Sequence, residues 1–201
     1  MTAKPALLAL ALVLLASCGI FNKATTALDA YTLSPLAGSG AVGGSSRHLV
    51  VELPSSSGAL ATDRILIKPN RLQAEYLPKG RWVDTAPVLV QTLLVASLQN
   101  TGAFRLVGRD GAGLSPDYTL LTEINDFQAE APTNGATQTP VHIAFTMTMV
   151  REDDGSLIAT RRFDQTSQAS SSDTLALVAA FDAATHAVLA DAVAWSIRQA
   201  N

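Results

Sequence analysis

Val141-His142-Ile143-Ala144-Phe145-Thr146-Met147-Thr148-Met149 places a large apolar side chain at every second position, with smaller or polar residues between. A period of two belongs to a half-buried strand, one face on a core and the other toward water. Asp153-Asp154-Gly155 then supplies hairpin-turn chemistry, and Leu157 to Thr166 runs back alongside. Upstream, Tyr118 to Gln128 is long enough for an extended neighbour. Downstream, Asp173 caps a helix expected to reach about Arg198. Leu177, Phe181, Ala184, Val188, Ala192 and Trp195 fall on one face of it.

The first half repeats this pairing of strands with a helix. His48 to Leu53 alternates, with Leu49, Val51 and Leu53 on one face and His48, Val50 and Glu52 on the other, and Pro54 ends it. Ile65-Leu66-Ile67 predicts another strand, and Pro69-Asn70 a turn before Leu72 to Tyr76. Asp84 or Thr85 caps a second helix, with Pro87 in its first turn, where a missing N–H costs nothing. Leu89, Leu93, Ala96 and Asn100 trace one row and Val90, Leu94 and Ser97 the next, which turns Gln91, Thr92 and Gln99 to water. Thr101-Gly102 stops the helix and Phe104 to Val107 returns as a short strand. Tyr31-Thr32-Leu33 predicts a first short strand, and Gly38 to Ser46 a flexible surface loop. Strands and helices are grouped rather than strictly alternating. The expected fold class is α+β, one largely antiparallel sheet with two long helices packed on it.

The start of the chain carries a different message. Met1 to Pro5 holds one basic residue, Lys4, and Ala6 to Ala16 contains only Ala, Leu and Val. That run is the length of a signal-peptide core, well short of the ~20 residues of a spanning helix. It ends in Leu15-Ala16-Ser17-Cys18, which resembles the lipobox of bacterial lipoproteins. Cleavage is therefore expected between Ser17 and Cys18, with a lipid on Cys18. Cys18 is the only cysteine among the 201 residues, so no intramolecular disulfide can form, and acylation removes an otherwise unpaired exported thiol. Several acyl chains hold firmly where one is marginal. Gly19 follows the cysteine, and the absence of Asp there resembles the sorting signal for the outer membrane. The expected organisation is a cleaved signal over 1–17, a lipidated tether over 18–30 and one α+β domain over 31–201. No later segment reads as long and apolar enough to span a membrane.

Charge and motifs exclude several functions. The whole chain has 14 basic and 17 acidic residues. Loss of Lys4 with the signal leaves 13 against 17, a formal −4, which argues against nucleic acid as a partner. Gly38-Ser39-Gly40-Ala41-Val42-Gly43 spells GxGxxG, but a strand rather than a helix follows it, so no pyrophosphate cradle is expected. His48, His142 and His186 share no close spacing, no metal ligand set forms, and no GxSxG elbow marks a serine nucleophile. Asp182 and His186 lie four apart on the last helix and read as a solvated pair. The stripe Ile143, Phe145, Met147 and Met149 reads as sheet core beneath a helix, with contact to lipid as its second use. No catalytic residue and no cofactor is assigned.

Taken in order, the lipobox, Tyr31-Thr32-Leu33, Leu49 to Pro54, Arg64-Ile65-Leu66-Ile67, Trp82 before the first long helix, Arg162-Phe163 and the Ala-rich last helix ending near Trp195 resemble the ABC-type transport auxiliary lipoprotein family, of the paraquat-inducible protein C type. The resemblance implies no enzymatic residues. It implies an outer-membrane, periplasm-facing lipoprotein that assists an ABC permease and ATPase working with an MCE (mammalian cell entry) protein to move phospholipid or another lipid. The chain's part would be to dock a protein partner or to relay lipid. The Gly/Ser stretch Gly38 to Ser46 is long for that family. An envelope scaffold unrelated to lipid movement is the alternative, and a periplasmic hydrolase the third reading. The expected docking element is a strand edge at Tyr31, Thr32 and Leu33, where unpaired backbone groups can accept another chain.

Overall fold

A computed structural model describes residues 27–38, 45–111, 113, 115–132, 136 and 138–200. The strands are β1 (Asp29–Tyr31), β2 (His48–Val51), β3 (Ser55–Ser56), β4 (Arg64–Asn70), β5 (Gln73–Trp82), β6 (Leu106–Arg109), β7 (Tyr118–Glu130), β8 (Thr139–Arg151) and β9 (Leu157–Ala169). The helices are α1 (Ala86–Thr101) and α2 (Thr174–Ala200). The fold is α+β, as expected, but the sheet is mixed rather than largely antiparallel.

β7 is the hub. One of its edges takes β8, which takes β9, both antiparallel. Its other edge takes β2, β3 and β4 in turn, all parallel, opposite Tyr118–Leu120, Glu123–Ile124 and Gln128–Glu130. β2 carries β6 in parallel, and β4 carries β5 antiparallel, which carries β1 in parallel. β2, β3 and β4 are successive pieces of one forward-running chain laid along a single neighbour. They must therefore share a direction. Alternation in sequence reports which face of a strand is buried and is blind to the direction of its neighbour.

Both helices cover the same face, α1 over β2 and β6, α2 over β8 and β9. Trp82, Phe127, Phe145 and Phe181 fill the centre, with Trp82 edge-on to Phe181 at 5.2 Å and Phe127 tilted against Phe181 at 5.3 Å. Trp195 packs edge-on against Phe163 at 5.6 Å. Such pairs contribute ~0.5–1.5 kcal/mol beyond their burial. α1 starts at Thr85 with Pro87 in its first turn, and Gly102 at φ 64° supplies the left-handed stop. By length and composition α2 is apolar enough to cross a membrane, contrary to the sequence expectation, but half of that stretch is buried against the sheet.

Some boundaries and faces differ from the sequence reading. β2 stops at Val51 and Leu53 is exposed, because the chain has already left the ladder. Val50, expected on the wet face, is buried as well. Gln91, expected in water, is buried because its Nε2 donates to the Val51 carbonyl at 3.0 Å, where α1 crosses the end of β2. β4 continues through Pro69, β5 runs on through Pro78 to Trp82, and β6 begins only at Leu106.

Candidate functional site

β1 ends at Tyr31, so Thr32 and Leu33 lie just past the strand. Tyr31 sits opposite Trp82, and its carbonyl accepts the Val83 N–H at 2.8 Å. The outer edge of β1 has no strand partner among the described residues. Thr32, just beyond that edge, is exposed, whereas Leu33 is buried in the core and offers no side chain to a partner.

The chain then crosses the outside of both helices as a strap. Ser34 donates its N–H to Asp182 Oδ1 at 2.8 Å and its hydroxyl to the same atom at 2.9 Å. His186 Nε2 lies 2.9 Å from the Ser34 carbonyl, and since a carbonyl only accepts, the imidazole carries its proton on Nε2. Two residues on, the Leu36 N–H donates to Ser97 Oγ at 3.0 Å, and Asn100 Nδ2 donates to the Leu36 carbonyl at 2.7 Å. Gly38 follows, where a Cβ would stand 2.9 Å from the Asn100 carbonyl oxygen, so only glycine passes α1 this closely. Asp182 and His186 are therefore not a free surface pair; they clasp one residue of the strap. Their spacing of four was legible in the sequence. Their target, about 150 positions away, was not.

The sheet face opposite the helices carries a second constellation. His142 Nε2 donates to Asp164 Oδ1 at 2.9 Å, and Arg162 Nη2 reaches Asp126 at 3.0 Å and Asp164 at 3.2 Å. Lys68 Nζ lies 3.7 Å from Asp126, and Gln128 Nε2 bonds Asp126 at 3.0 Å and Glu130 at 3.1 Å. Burial alone would raise the Asp126 pKa, but hydrogen bonds from Gln128 and Arg162 and the nearby His142 and Lys68 together hold it below the usual carboxylate range. At one end of this network an open depression of about 670 Å³ is lined by Lys68, Pro69, Asn70, Arg71, Glu130 and His142 among others. Thr146, on the same face of β8 as His142, gives its proton to Asn125 Oδ1 at 2.7 Å rather than to an imidazole. Among the described residues no set of three His, Cys, Asp or Glu converges as metal ligands. Residues 39–43 of the GxGxxG match, and Ser17 and Cys18, lie outside the described residues; β2 follows the glycine stretch at His48.

Residues 31–194 match the family model described as the ABC-type transport auxiliary lipoprotein component. The chain belongs to this family. It is 27% identical over 155 residues to an uncharacterized protein of Bradyrhizobium diazoefficiens, a match covering 76% of this chain and 40% of that one. The chain thus spans well under half the length of that relative. Protein XCC0632 of Xanthomonas campestris has a similar fold, with a TM-score of 0.77 at 23% identity over 87% of this chain and 97% of that one. A second solved protein aligns at a TM-score of 0.62 and 18% identity, over 87% of this chain and all of the other.

In this auxiliary lipoprotein the apolar stripe is core. Ile143, Phe145, Met147 and Met149 have no exposed surface, each closed over by the helix layer. The softness of the two methionines serves packing, filling the irregular space under the helices.

Proposed function

We propose that the chain is a non-enzymatic, lipid-anchored auxiliary component of an ABC/MCE-type lipid transport system, held by Cys18 in the outer membrane and facing the periplasm. It works by docking the MCE-domain protein of that system. The observation that carries this reading is the family match over residues 31–194. Docking is favoured over an internal lipid relay because the stripe that would carry an acyl chain is filled by the protein's own core. The docking element is the outer edge of β1 with Thr32 just beyond it. A strap bonded to both helices holds that edge in place, so the chain loses little entropy when a partner strand adds to it.

The test is crosslinking in a strain that expresses permease, ATPase and MCE protein from the same locus. The expected product joins this chain to the MCE protein. Products with other envelope proteins and none with the MCE protein would favour the scaffold alternative. The anchor is tested separately. Cys18→Ala should lose incorporation of labelled fatty acid and stop maturation, and unchanged labelling and membrane fractionation would refute the lipid on Cys18.

A further inference from the structure

The hairpin of β4 and β5 ends in a tip shaped by one side chain. Asn70 faces Gln73 across the ladder; its Oδ1 accepts the Leu72 N–H at 3.0 Å and its Nδ2 donates to Gln73 Oε1 at 3.0 Å. Arg71 and Leu72, between them, are thrust outward, and Leu72 is 99% exposed. Lone exposed leucines are common on protein surfaces. This one takes its meaning from its direction and its neighbours.

Strand register supplies the direction. β1 runs parallel to β5, with Asp29 opposite Gly80 and Tyr31 opposite Trp82. The chain that precedes Asp29 therefore leaves toward the Gln73 end of β5, the end that bears Arg71 and Leu72. Cys18 to Leu28 is eleven residues, which reach at most about 36–40 Å. Gly80 to Gln73 covers no more than about 25 Å of strand. The described chain thus points toward the tip end as it leaves β1, and a tether of that length is long enough to let the tip touch the bilayer.

At the tip Lys68 lies 3.7 Å from Asp126 and opposite Glu130, whereas Arg71 makes no ion pair among the described residues. Arg71, next to Leu72, is the cation that the hairpin presents outward. Behind the tip lies the open depression that Lys68, Arg71, His142 and Glu130 help to line.

We infer that the β4–β5 tip seats on the phospholipid surface that holds the chain's own anchor, with Leu72 in the interface and Arg71 against lipid phosphate. The inference rests on the Cys18 reading. One leucine and one cation are a weak site in free solution, but a tethered domain meets the bilayer at high effective concentration. Seating the tip would fix the tilt of the sheet against the bilayer.

The test uses the full-length lipidated chain in vesicles of phosphatidylethanolamine and phosphatidylglycerol doped with nitroxide lipid. Because Cys18 is the only cysteine and is acylated on this reading, Leu72→Cys introduces the single free thiol for an environment-sensitive fluorophore. Leu157→Cys, 70% exposed in its parent form at the start of β9 and at the opposite end of the sheet, is the control. The Leu72 probe should shift to the blue and lose emission to the nitroxide lipid, and the Leu157 probe should do neither. Arg71→Ala in the Leu72→Cys background should lower the docked-to-free ratio about fivefold. A chain that floats with the vesicles while both probes remain equally wet overturns the inference and leaves the anchor standing. A chain that does not float overturns the Cys18 reading, and the inference falls with it.

Discussion

Along β8 two environments alternate. Ile143, Phe145, Met147 and Met149 are wholly buried beneath the helices, while His142 and Thr146, one position away, face an uncovered surface of carboxylates, a guanidinium and threonines. The covered face draws on burial, at ~1.5–3 kcal/mol for each large apolar side chain. The open face draws on partly solvated ion pairs, whose net worth is ~0–1 kcal/mol each. Stability is therefore concentrated under the helices. The other face and the sheet edges remain free to meet partners at little cost to the fold.

The sharpest way to break this contrast is on the covered face. Trp195→Ala should destabilise the domain by ~3–5 kcal/mol, because it empties a large volume against Phe163 that the sheet cannot refill. A melting curve like the parent's would show that the helix layer does not carry the fold. Gln91→Ala should cost ~1–3 kcal/mol, since it strands the Val51 carbonyl at a buried crossing. Equal stability in chemical denaturation would mean that water replaces the amide there.

A smaller effect is expected at the strap. Asp182→Ala removes the acceptor of both Ser34 donors, for ~1 kcal/mol at this exposed site, and should speed hydrogen exchange at the Ser34 amide while core amides stay protected. Uniform exchange would show the strap is not a separate unit.

The smallest effect belongs to the open face. Arg162→Ala should change stability at neutral pH by no more than ~1 kcal/mol. Asp126 adds a pH signature. Its folded pKa lies below the unfolded value, so its contribution is fully present above the ordinary carboxylate pKa of about 4 and is lost as pH falls through the folded value. Asp126→Asn should therefore flatten part of the acid limb of a stability profile, and an unchanged limb would remove Asp126 from the network.

The same contrast explains what the sequence could tell. The stripe on β8 and the apolar face of α2 were legible because each is a local period imposed by one core. The mixed sheet was not, since β2, β3 and β4 reveal their common direction only when laid along β7. Gln91 misled because helical spacing assigns a face without knowing which carbonyl lies under it. The open-face network joins residues from β4, β7, β8 and β9, and the strap joins Ser34 to residues near 182 and 186. Contacts of that separation leave no periodic trace. Ser17 and Cys18 were read from a local motif alone.

The claim that function lies in an exposed edge has one direct test. A photoreactive residue is placed at Thr32, beside the β1 edge, and separately at Thr160, on the open face, in cells expressing the MCE protein and its transporter from the same locus. Both variants must first melt as the parent does. An adduct with the MCE protein from Thr32 and none from Thr160 is the predicted result; an MCE adduct from Thr160 alone, or from neither position, contradicts docking at the β1 edge.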